Sequence, residues 1–217
     1  MTEIVLAQGS LLRELFAFRH RVYVEELAAP RLRTPDGELQ DALDARAWNY
    51  AAVRGGRVVG SVRVVDFPHI PDAPELADRY GVEPLLQRFG SSAVCHAGRL
   101  AVDESLRGSS CLVRLVAQAV RDAVARRVRF SVSDCSPELF ELYRRLGYVR
   151  THRHFIDANF GAKWAMVFCL RDREGMRRIG SPISSVVAKS EDDREGREWL
   201  NAAMVLPERD PGVTSAA

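Results

Sequence analysis

Residues Arg99 to Tyr148, RLAVDESLRGSSCLVRLVAQAVRDAVARRVRFSVSDCSPELFELYRRLGY, carry the pattern that decides the fold. Leu100 to Val102 are an apolar run that predicts a strand, and Glu104 to Ser110 form a polar turn. From Cys111 to Val128, apolar residues recur every three or four positions, which predicts an amphipathic helix. Phe130 to Ser133 predict a second strand. The segment is therefore expected to run strand, turn, helix, strand.

A second helix should follow. Ser136 to Glu138 have the residue types of a helix start, and Gly147 is typical of a helix end. This helix carries Tyr143. The turn before the first helix has Arg107 and Gly108 at its tip. Because a helix N-terminus presents free backbone N–H groups and a partial positive charge, this turn is suited to bind a phosphate.

The composition limits the class of protein. A chain of 217 residues is long enough for one domain with a buried core. Its net charge of +2 gives little support to nucleic-acid binding, and no apolar run is long enough to span a membrane. The four cysteines lack metal-ligand spacing, so we expect reduced thiols and assign no metal. The N-terminus lacks a signal-peptide pattern, so we expect a cytoplasmic protein.

The remaining chain shows simpler patterns. Ser10 caps a predicted helix that extends to Leu27, and the segment from Asn49 to Val65 predicts a hairpin. Ala77 to Phe89 predict one short helix. We expect residues 1–173 to form one domain. Residues 174–217 are expected to be a C-terminal extension, partly helical, with a disordered end from Pro207.

This order of elements resembles the GNAT superfamily of N-acyltransferases. The resemblance implies an α+β fold with three layers: a mixed, mostly antiparallel central sheet flanked by helices, with a V-shaped splay between strands 4 and 5. It also implies a phosphopantetheine thioester along strand 4, with its phosphates on the turn before the helix. The thioester-binding residues are then Leu100, Ala101, Val102, Arg107, Gly108, Ser109, Ser110 and Cys111. The turn departs from the superfamily pattern at Leu112, where a small residue is usual, so acetyl-CoA is less well matched as the donor.

A second resemblance, to the acyl-homoserine-lactone synthases and the N-acyl amino acid synthases, covers residues before this segment. It rests on Phe18 to Leu27, on Asp41 and Asp44, on Gly60 to Val64 and on His96 to Val102. This branch usually takes its acyl group from acyl carrier protein and transfers it to an amino acid or a derivative. The matching acceptor-site residues are Arg19, Tyr23, Asp41, Asp44, Arg63 and Arg99.

Three positions depart from this second pattern. His96 stands where the branch has Glu in its Glu-x-Ser-Arg element, Gly98 stands for the Ser, and Ala29 for a Trp. These differences argue against a standard homoserine-lactone synthase and favour a relative with another acceptor amine.

The chemistry of amide formation assigns roles to a few residues. An acceptor ammonium must lose a proton, and an imidazole with its ordinary pKa near 6.5 suits that step, so His96 is the candidate base; the alternative is a structural histidine. The resemblance implies a strand-4 backbone N–H at Leu100 as oxyanion donor and Tyr143 as the acid that protonates the thiolate. Strand alternation places His96, Gly98 and Leu100 on one face and Arg99 on the other.

The acceptor set has two interpretations. Asp41 and Asp44 can hold an acceptor ammonium while Arg19 or Arg63 pairs with a carboxylate, or these four residues can form internal salt bridges that order a loop. The acyl chain should enter the space between strands 4 and 5, with Cys111, Phe130 or Phe155 as candidate lining residues.

Two groups of arginines also allow two interpretations. They are Arg121, Arg126, Arg127 and Arg129, and Arg144, Arg145 and Arg150. Such groups are usually solvated helix faces, but they can also form a docking patch for an acidic acyl carrier protein.

The sequence therefore predicts an N-acyltransferase that moves an acyl group from acyl carrier protein or acyl-CoA to the amine of an amino acid or similar small molecule. The thioester is a co-substrate, and no permanently bound cofactor is expected. One alternative is an acetyl-CoA-dependent acetyltransferase of a small amine or a protein lysine. Another is a catalytically inactive binding module of the same fold.

Overall fold

A mixed sheet forms the centre of the protein, whose computed structural model describes residues 1–205. The strands are β1 (Glu3–Leu6), β2 (Trp48–Arg54), β3 (Arg57–Asp66), β4 (Val94–Val102), β5 (Phe130–Cys135), β6 (Val149–Asp157) and β7 (Gly161–Cys169). Within the described residues these seven strands lie in the order β1-β2-β3-β4-β5-β7-β6. All neighbours are antiparallel except β4 and β5, which are parallel.

Helices cover both faces of the sheet. They are α1 (Ser10–His20), α2 (Ala73–Tyr80), α3 (Glu83–Phe89), α4 (Cys111–Ala125), α5 (Phe140–Leu146), α6 (Arg173–Arg178) and α7 (Arg194–Ala203). α4 packs through Leu115 and Ala119 on one face, and α1 packs through Leu15 and Phe18 on the other. The expected three-layer GNAT-type architecture is confirmed. In the part of the chain that the structure describes, no helix has both the length and the apolar character needed to cross a bilayer.

The parallel strands β4 and β5 separate along their length. They pair only from Val94 to His96, whose partners run from Phe130 to Val132. Beyond His96 the edge of β4 has no β5 partner, which opens the predicted V-shaped splay. The resulting gap lies at the centre of the sheet, between α4 on one face and the loops that follow α1 on the other.

A bulge in β4 changes which side chains share a face. Ala101 lies opposite Ser61 and Gly98 lies opposite Arg63, so two residues of β4 face one residue of β3. Arg99 has a φ of 54°, in the left-handed region that non-glycine residues rarely adopt. The expected alternation is therefore wrong: Arg99 lies in the same cavity as His96, because the extra residue shifts the register of the strand.

Two helical predictions needed revision. The helix expected over Ala77 to Phe89 is two helices, because Gly81 adopts the left-handed conformation that ends α2. The helix that begins at Ser10 changes at Arg21 into a six-residue π-helical segment, Arg21–Glu26. π-Helical turns are frequent at functional sites, and this one faces the splay.

The C-terminal segment packs against the sheet as far as it is described. Leu200 of α7 and Met204, which follows the helix, are buried in the cluster that contains Phe130. Ile183 is buried in the cluster around α4. Arg129 joins this segment to β5 by two hydrogen bonds to the Asp193 carboxylate, at 2.8 and 2.6 Å. The disorder predicted from Pro207 onward falls outside the described residues.

Candidate active site

Three cavities open from the splay, and the first is a long cleft. It runs from the turn before α4, along Leu100 to Val102, and passes between the π-helical segment and α5. Its volume of about 650 Å³ falls within the range of small-molecule sites. Leu27, Leu139 and Leu142 lie at its rim and remain 50%, 45% and 39% exposed. The long cleft is thus an elongated groove with an exposed apolar rim.

The second cavity is an apolar pocket enclosed by β3, β4, β5 and α4. Val116, Ala119 and Ala123 of α4 form one wall, and Val62 and Val64 of β3 form another. The three residues predicted to line this space do not line it. Cys111 lies at the start of α4, and Phe130 and Phe155 belong to the cluster on the opposite side of the sheet.

The third, the charged cavity, lies on the other side of the β4 edge from the apolar pocket. It has a volume of about 500 Å³. Its charged lining comes from several elements, and its basic and acidic side chains are Arg63, Arg79, Arg99 and Lys163, and Asp41, Asp134, Glu138 and Asp157. Because both signs of charge are present, this cavity suits a zwitterionic or polar small molecule.

Leu100 and Tyr143 line all three cavities. Leu100 belongs to the bulge of β4, where its backbone lacks a paired residue on β3 and lies beyond the last β5 pair. The Tyr143 hydroxyl has no hydrogen-bond partner among the described residues. Burial raises the pKa of Tyr143 well above 10, so this hydroxyl keeps its proton and can donate it.

The turn before α4 closes one end of the long cleft. Gly108 has a φ of +83°, which only glycine adopts without strain. Arg107 donates to the carbonyl of Val102 and to the Glu26 carboxylate, so its guanidinium is already oriented. Of the eight residues expected to bind the thioester, all except Ser110 and Cys111 line this cleft.

The predicted acceptor residues form a network of ion pairs. Arg19 is fully buried and donates to Ser61, Asp44 and Asn49, each at 2.7 Å. Asp44 also accepts from Arg63 at 2.9 Å. Neither Arg19 nor Asp44 lines the charged cavity, which leaves them behind its wall. These two residues therefore hold the cavity wall in place.

The other members of this set face the cavity. Asp41 accepts from Arg63 at 2.6 Å and from Arg99 at 2.9 Å, and these two arginines hold the pKa of Asp41 down to about 2. Arg63 is buried, and its Nε has no hydrogen-bond partner among the described residues. Tyr23 donates its hydroxyl to the carbonyl of Leu100 at 3.0 Å, so it fixes the bulge.

His96 joins a chain of hydrogen bonds. Tyr80 donates its hydroxyl to the Asp134 carboxylate at 2.7 Å, and the same oxygen lies 3.1 Å from Nε2 of His96. A tyrosine has one hydroxyl proton, so His96 must donate through Nε2–H, which leaves the lone pair on Nδ1. Nδ1 is buried without a partner among the described residues.

The expectation of an unperturbed imidazole at His96 is wrong. Burial lowers its pKa to about 3, and the nearby positive charge of Arg63 acts in the same direction. The imidazole is therefore neutral throughout the physiological pH range. The absence of a side chain at Gly98 leaves space beside the ring. A Cβ atom at this position would lie only 3.2 Å from Cε1 of His96, which is closer than most contacts of a Cβ atom.

Sequence reasoning missed Tyr80, Asp134 and Lys163. They come from α2, β5 and β7, and no local motif connects them. The one available signal was Asp134 itself, a carboxylate in a strand otherwise made of apolar and small residues. Lys163 donates to Ser136 at 3.1 Å and lies 3.8 Å from the Asp134 carboxylate.

The first arginine group is largely occupied within the protein. Arg126 pairs with Asp66 and stacks on Trp48, and Arg129 pairs with Asp193. These residues follow the C-terminal half of α4, about 20 Å from the turn at its start. Of the second group, Arg145 lines the long cleft.

Solved structures with the same fold include acyl-homoserine lactone synthases and a putative N-acetyltransferase. The CoA-dependent acyl-homoserine lactone synthase BjaI is 22% identical over 84% of this chain and 90% of its own, with a TM-score of 0.64. The corresponding synthase MesI is 17% identical over 84% and 95%, with a TM-score of 0.64. A putative N-acetyltransferase from Lactobacillus plantarum is 18% identical over 78% and 98%, with a TM-score of 0.56. No curated protein matches the sequence.

The fold is of the GNAT type, and a match to a family model shows that the chain is an acyltransferase that acts on an amine. The model of one family within this class, described as N-acyl amino acid synthase FeeM, matches residues 14–166. This chain belongs to that family.

Proposed function

We propose that this enzyme transfers an acyl group from a phosphopantetheine thioester to the amine of an amino acid or similar small molecule. The observation that carries the proposal is the meeting of three cavities at Leu100 and Tyr143. Acyl transfer needs a groove for the pantetheine arm, an apolar space for the acyl chain and a polar space for the acceptor. The long cleft, the apolar pocket and the charged cavity have these three characters.

The thioester carbon then lies beside Leu100 and Tyr143. A backbone N–H at the bulge, assigned to Leu100, stabilises the oxyanion, and Tyr143 protonates the departing thiolate. Burial raises the pKa of Tyr143, so its hydroxyl still carries its proton when the thiolate forms. The acyl chain enters the apolar pocket, whose volume of about 40 Å³ holds a short chain as it stands and a longer one only if the side chains that line it move.

The acceptor occupies the charged cavity. Arg63 and Arg99 bind its carboxylate. Together with Arg19 they carry three positive charges, whereas Asp41 and Asp44, with which they pair, carry two negative charges. One positive charge is therefore left for the acceptor. The Nε–H of Arg63 is buried and lacks an acceptor among the described residues. Arg19 and Asp44 act indirectly by holding Arg63. His96 is the proposed base, with its Nδ1 lone pair free.

Acyl carrier protein is the favoured donor. An exposed apolar rim formed by Leu27, Leu139 and Leu142, with Arg145 beside it, is complementary to an acidic carrier protein that carries its prosthetic arm into the long cleft. Free acyl-CoA is the second candidate, because BjaI and MesI are described as CoA-dependent.

A kinetic comparison of the two donors tests this preference. The same acyl group is supplied on carrier protein, on CoA and on pantetheine, with an amino acid mixture as acceptor. We expect the highest kcat/KM with the carrier protein. An equal or higher kcat/KM with acyl-CoA would reverse the donor assignment, and absence of transfer from all three would reject the function.

A further inference from the structure

We propose that Tyr80 and Asp134 form a proton relay with His96, in which Asp134 receives the proton that the acceptor nitrogen loses. This inference rests on the proposed function. The relay follows the observed contacts: Nδ1 of His96 is unpartnered, Nε2 lies 3.1 Å from the Tyr80 oxygen, and that hydroxyl donates to Asp134 at 2.7 Å.

The relay removes a difficulty of the His96 assignment. A base that must become imidazolium is poorly placed in this buried position beside Arg63, where its pKa is about 3. In the relay the imidazole never carries a charge, because it accepts a proton at Nδ1 while it releases another from Nε2. The charge change appears instead on Asp134, whose side chain is 29% exposed and so can exchange a proton with solvent.

The step balances in atoms and charge. The acceptor attacks as the neutral amine, after its ammonium has lost one proton to water. Its nitrogen, made acidic by the attack on the thioester carbon, then loses an N–H proton to Nδ1 of His96. The Nε2 proton passes to the Tyr80 oxygen, and the Tyr80 proton passes to the Asp134 carboxylate. The C–S bond breaks, its electron pair stays on sulfur, and Tyr143 protonates that sulfur. His96 ends as the neutral Nδ1–H tautomer, Asp134 as a neutral acid and Tyr143 as a phenolate, so the total charge is unchanged. Asp134 then releases its proton to solvent, and Tyr143 regains one from solvent.

The packing of Tyr80 supports a fixed geometry. Its ring lies 5.4 Å from the His96 ring and 5.7 Å from the Phe155 ring, centroid to centroid. Tyr80 is 4% exposed and ends α2 at the left-handed Gly81. The hydroxyl therefore has little freedom to leave the two partners that it connects.

The test compares Tyr80→Phe, Asp134→Asn and the double variant, with Tyr50→Phe as the control. Tyr50 is a buried tyrosine of β2 that lines none of the three cavities. Each single variant should lower kcat about 100-fold with KM values changed less than about threefold. The double variant should be no slower than the slower single one, because both changes break the same chain. The relay would be overturned if the loss of kcat in the double variant equalled the product of the two single losses. It would also be overturned if the single variants had kcat values like that of Tyr50→Phe.

A second measurement needs no turnover. Nitrogen NMR of the histidine-labelled wild type should show His96 as the Nε2–H tautomer near neutral pH, and Tyr80→Phe should remove this preference. An Nδ1–H tautomer in the wild type would also overturn the relay. An inactive wild type with the expected tautomer would instead count against the proposed function alone, which keeps the two failures distinguishable.

Discussion

At the residue scale, Tyr143 and His96 illustrate how burial changes the use of a side chain. Burial raises the pKa of Tyr143 and lowers that of His96, so both groups are neutral at physiological pH. A neutral phenol suits proton donation to a thiolate, and a neutral imidazole with a free Nδ1 suits proton acceptance. The residue types were readable in the sequence, but their protonation states follow from contacts that only the fold creates.

Tyr143→Phe should lower kcat about 100-fold with the natural thioester, because the thiolate then leaves without an acid. The loss should shrink towards tenfold or less with a thiophenol ester, whose thiolate needs no proton to leave. The two donors are compared in steady-state assays. An equal loss with both would show that Tyr143 acts through packing and not through its proton.

His96 should also make stability sensitive to acid. Its pKa is about 3 in the folded protein and near 6.5 in the unfolded chain, so the unfolded chain binds the proton first as the pH falls. The free energy of unfolding should therefore fall below pH 6.5, and this residue's share is about 1.4 kcal/mol between pH 7.5 and 5.5. Urea unfolding at both pH values measures it.

His96→Gln supplies the comparison for that measurement. Between pH 7.5 and 5.5, the free energy of unfolding of the variant should fall by about 1.4 kcal/mol less than that of the wild type, whatever its value at pH 7.5. Equal losses in the two proteins would mean that His96 titrates normally in the folded state.

At the element scale, much of the chain order was predictable from periodicity. The strand, turn and helix predicted from Leu100 onward agree closely with those of the structure up to Ala125, because each has a strong local pattern. The bulge at Arg99 and the π-helical segment after α1 were not predictable, because both depend on pairing or packing with distant elements. The same reason explains why Tyr80 and Asp134 escaped notice.

The wall that α4 gives to the apolar pocket should set the acyl chain length. Ala123→Leu places three more carbon atoms in that wall, so the preferred chain should shorten by about three methylene groups. Kinetics with a series of acyl donors measures the shift. Ala117→Leu is the control, because Ala117 lies on α4 but does not line the pocket. An unchanged preference in Ala123→Leu would place the acyl chain elsewhere.

The rim at α5 should distinguish the donors. Arg145→Glu should lower kcat/KM for the carrier-protein thioester roughly tenfold, because it puts a like charge opposite an acidic partner. The same change should have a smaller effect on the pantetheine thioester. Arg121→Glu is the matched control on α4, away from the long cleft. Equal effects of the two variants would contradict docking at α5.

At the scale of the whole molecule, the C-terminal segment up to residue 205 contributes to the same core as the sheet. Arg129 and Asp193 hold it to β5, and Asp193 is only 6% exposed. Arg129→Met should lower the free energy of unfolding by about 2 kcal/mol, because it leaves the buried Asp193 carboxylate with only the Gly196 N–H and Arg171, 3.6 Å away, as partners. Chemical unfolding measures this value.

Arg88→Met is the control for that prediction. Arg88 pairs with the exposed Glu195, and exposed pairs contribute at most about 1 kcal/mol. Similar small losses in both variants would show that the C-terminal segment is not part of the cooperative unit.

In the proposed reaction, an acyl group passes to an amine where the three cavities meet at Leu100 and Tyr143. The most direct measurement incubates the purified enzyme with an acyl-carrier-protein thioester and a mixture of ¹⁵N-labelled amino acids, and follows the products by mass spectrometry. We expect an N-acyl amino acid that contains the label, with loss of the thioester in equal amount. Thioester loss that yields only free fatty acid, or no reaction with any donor or acceptor, would contradict it.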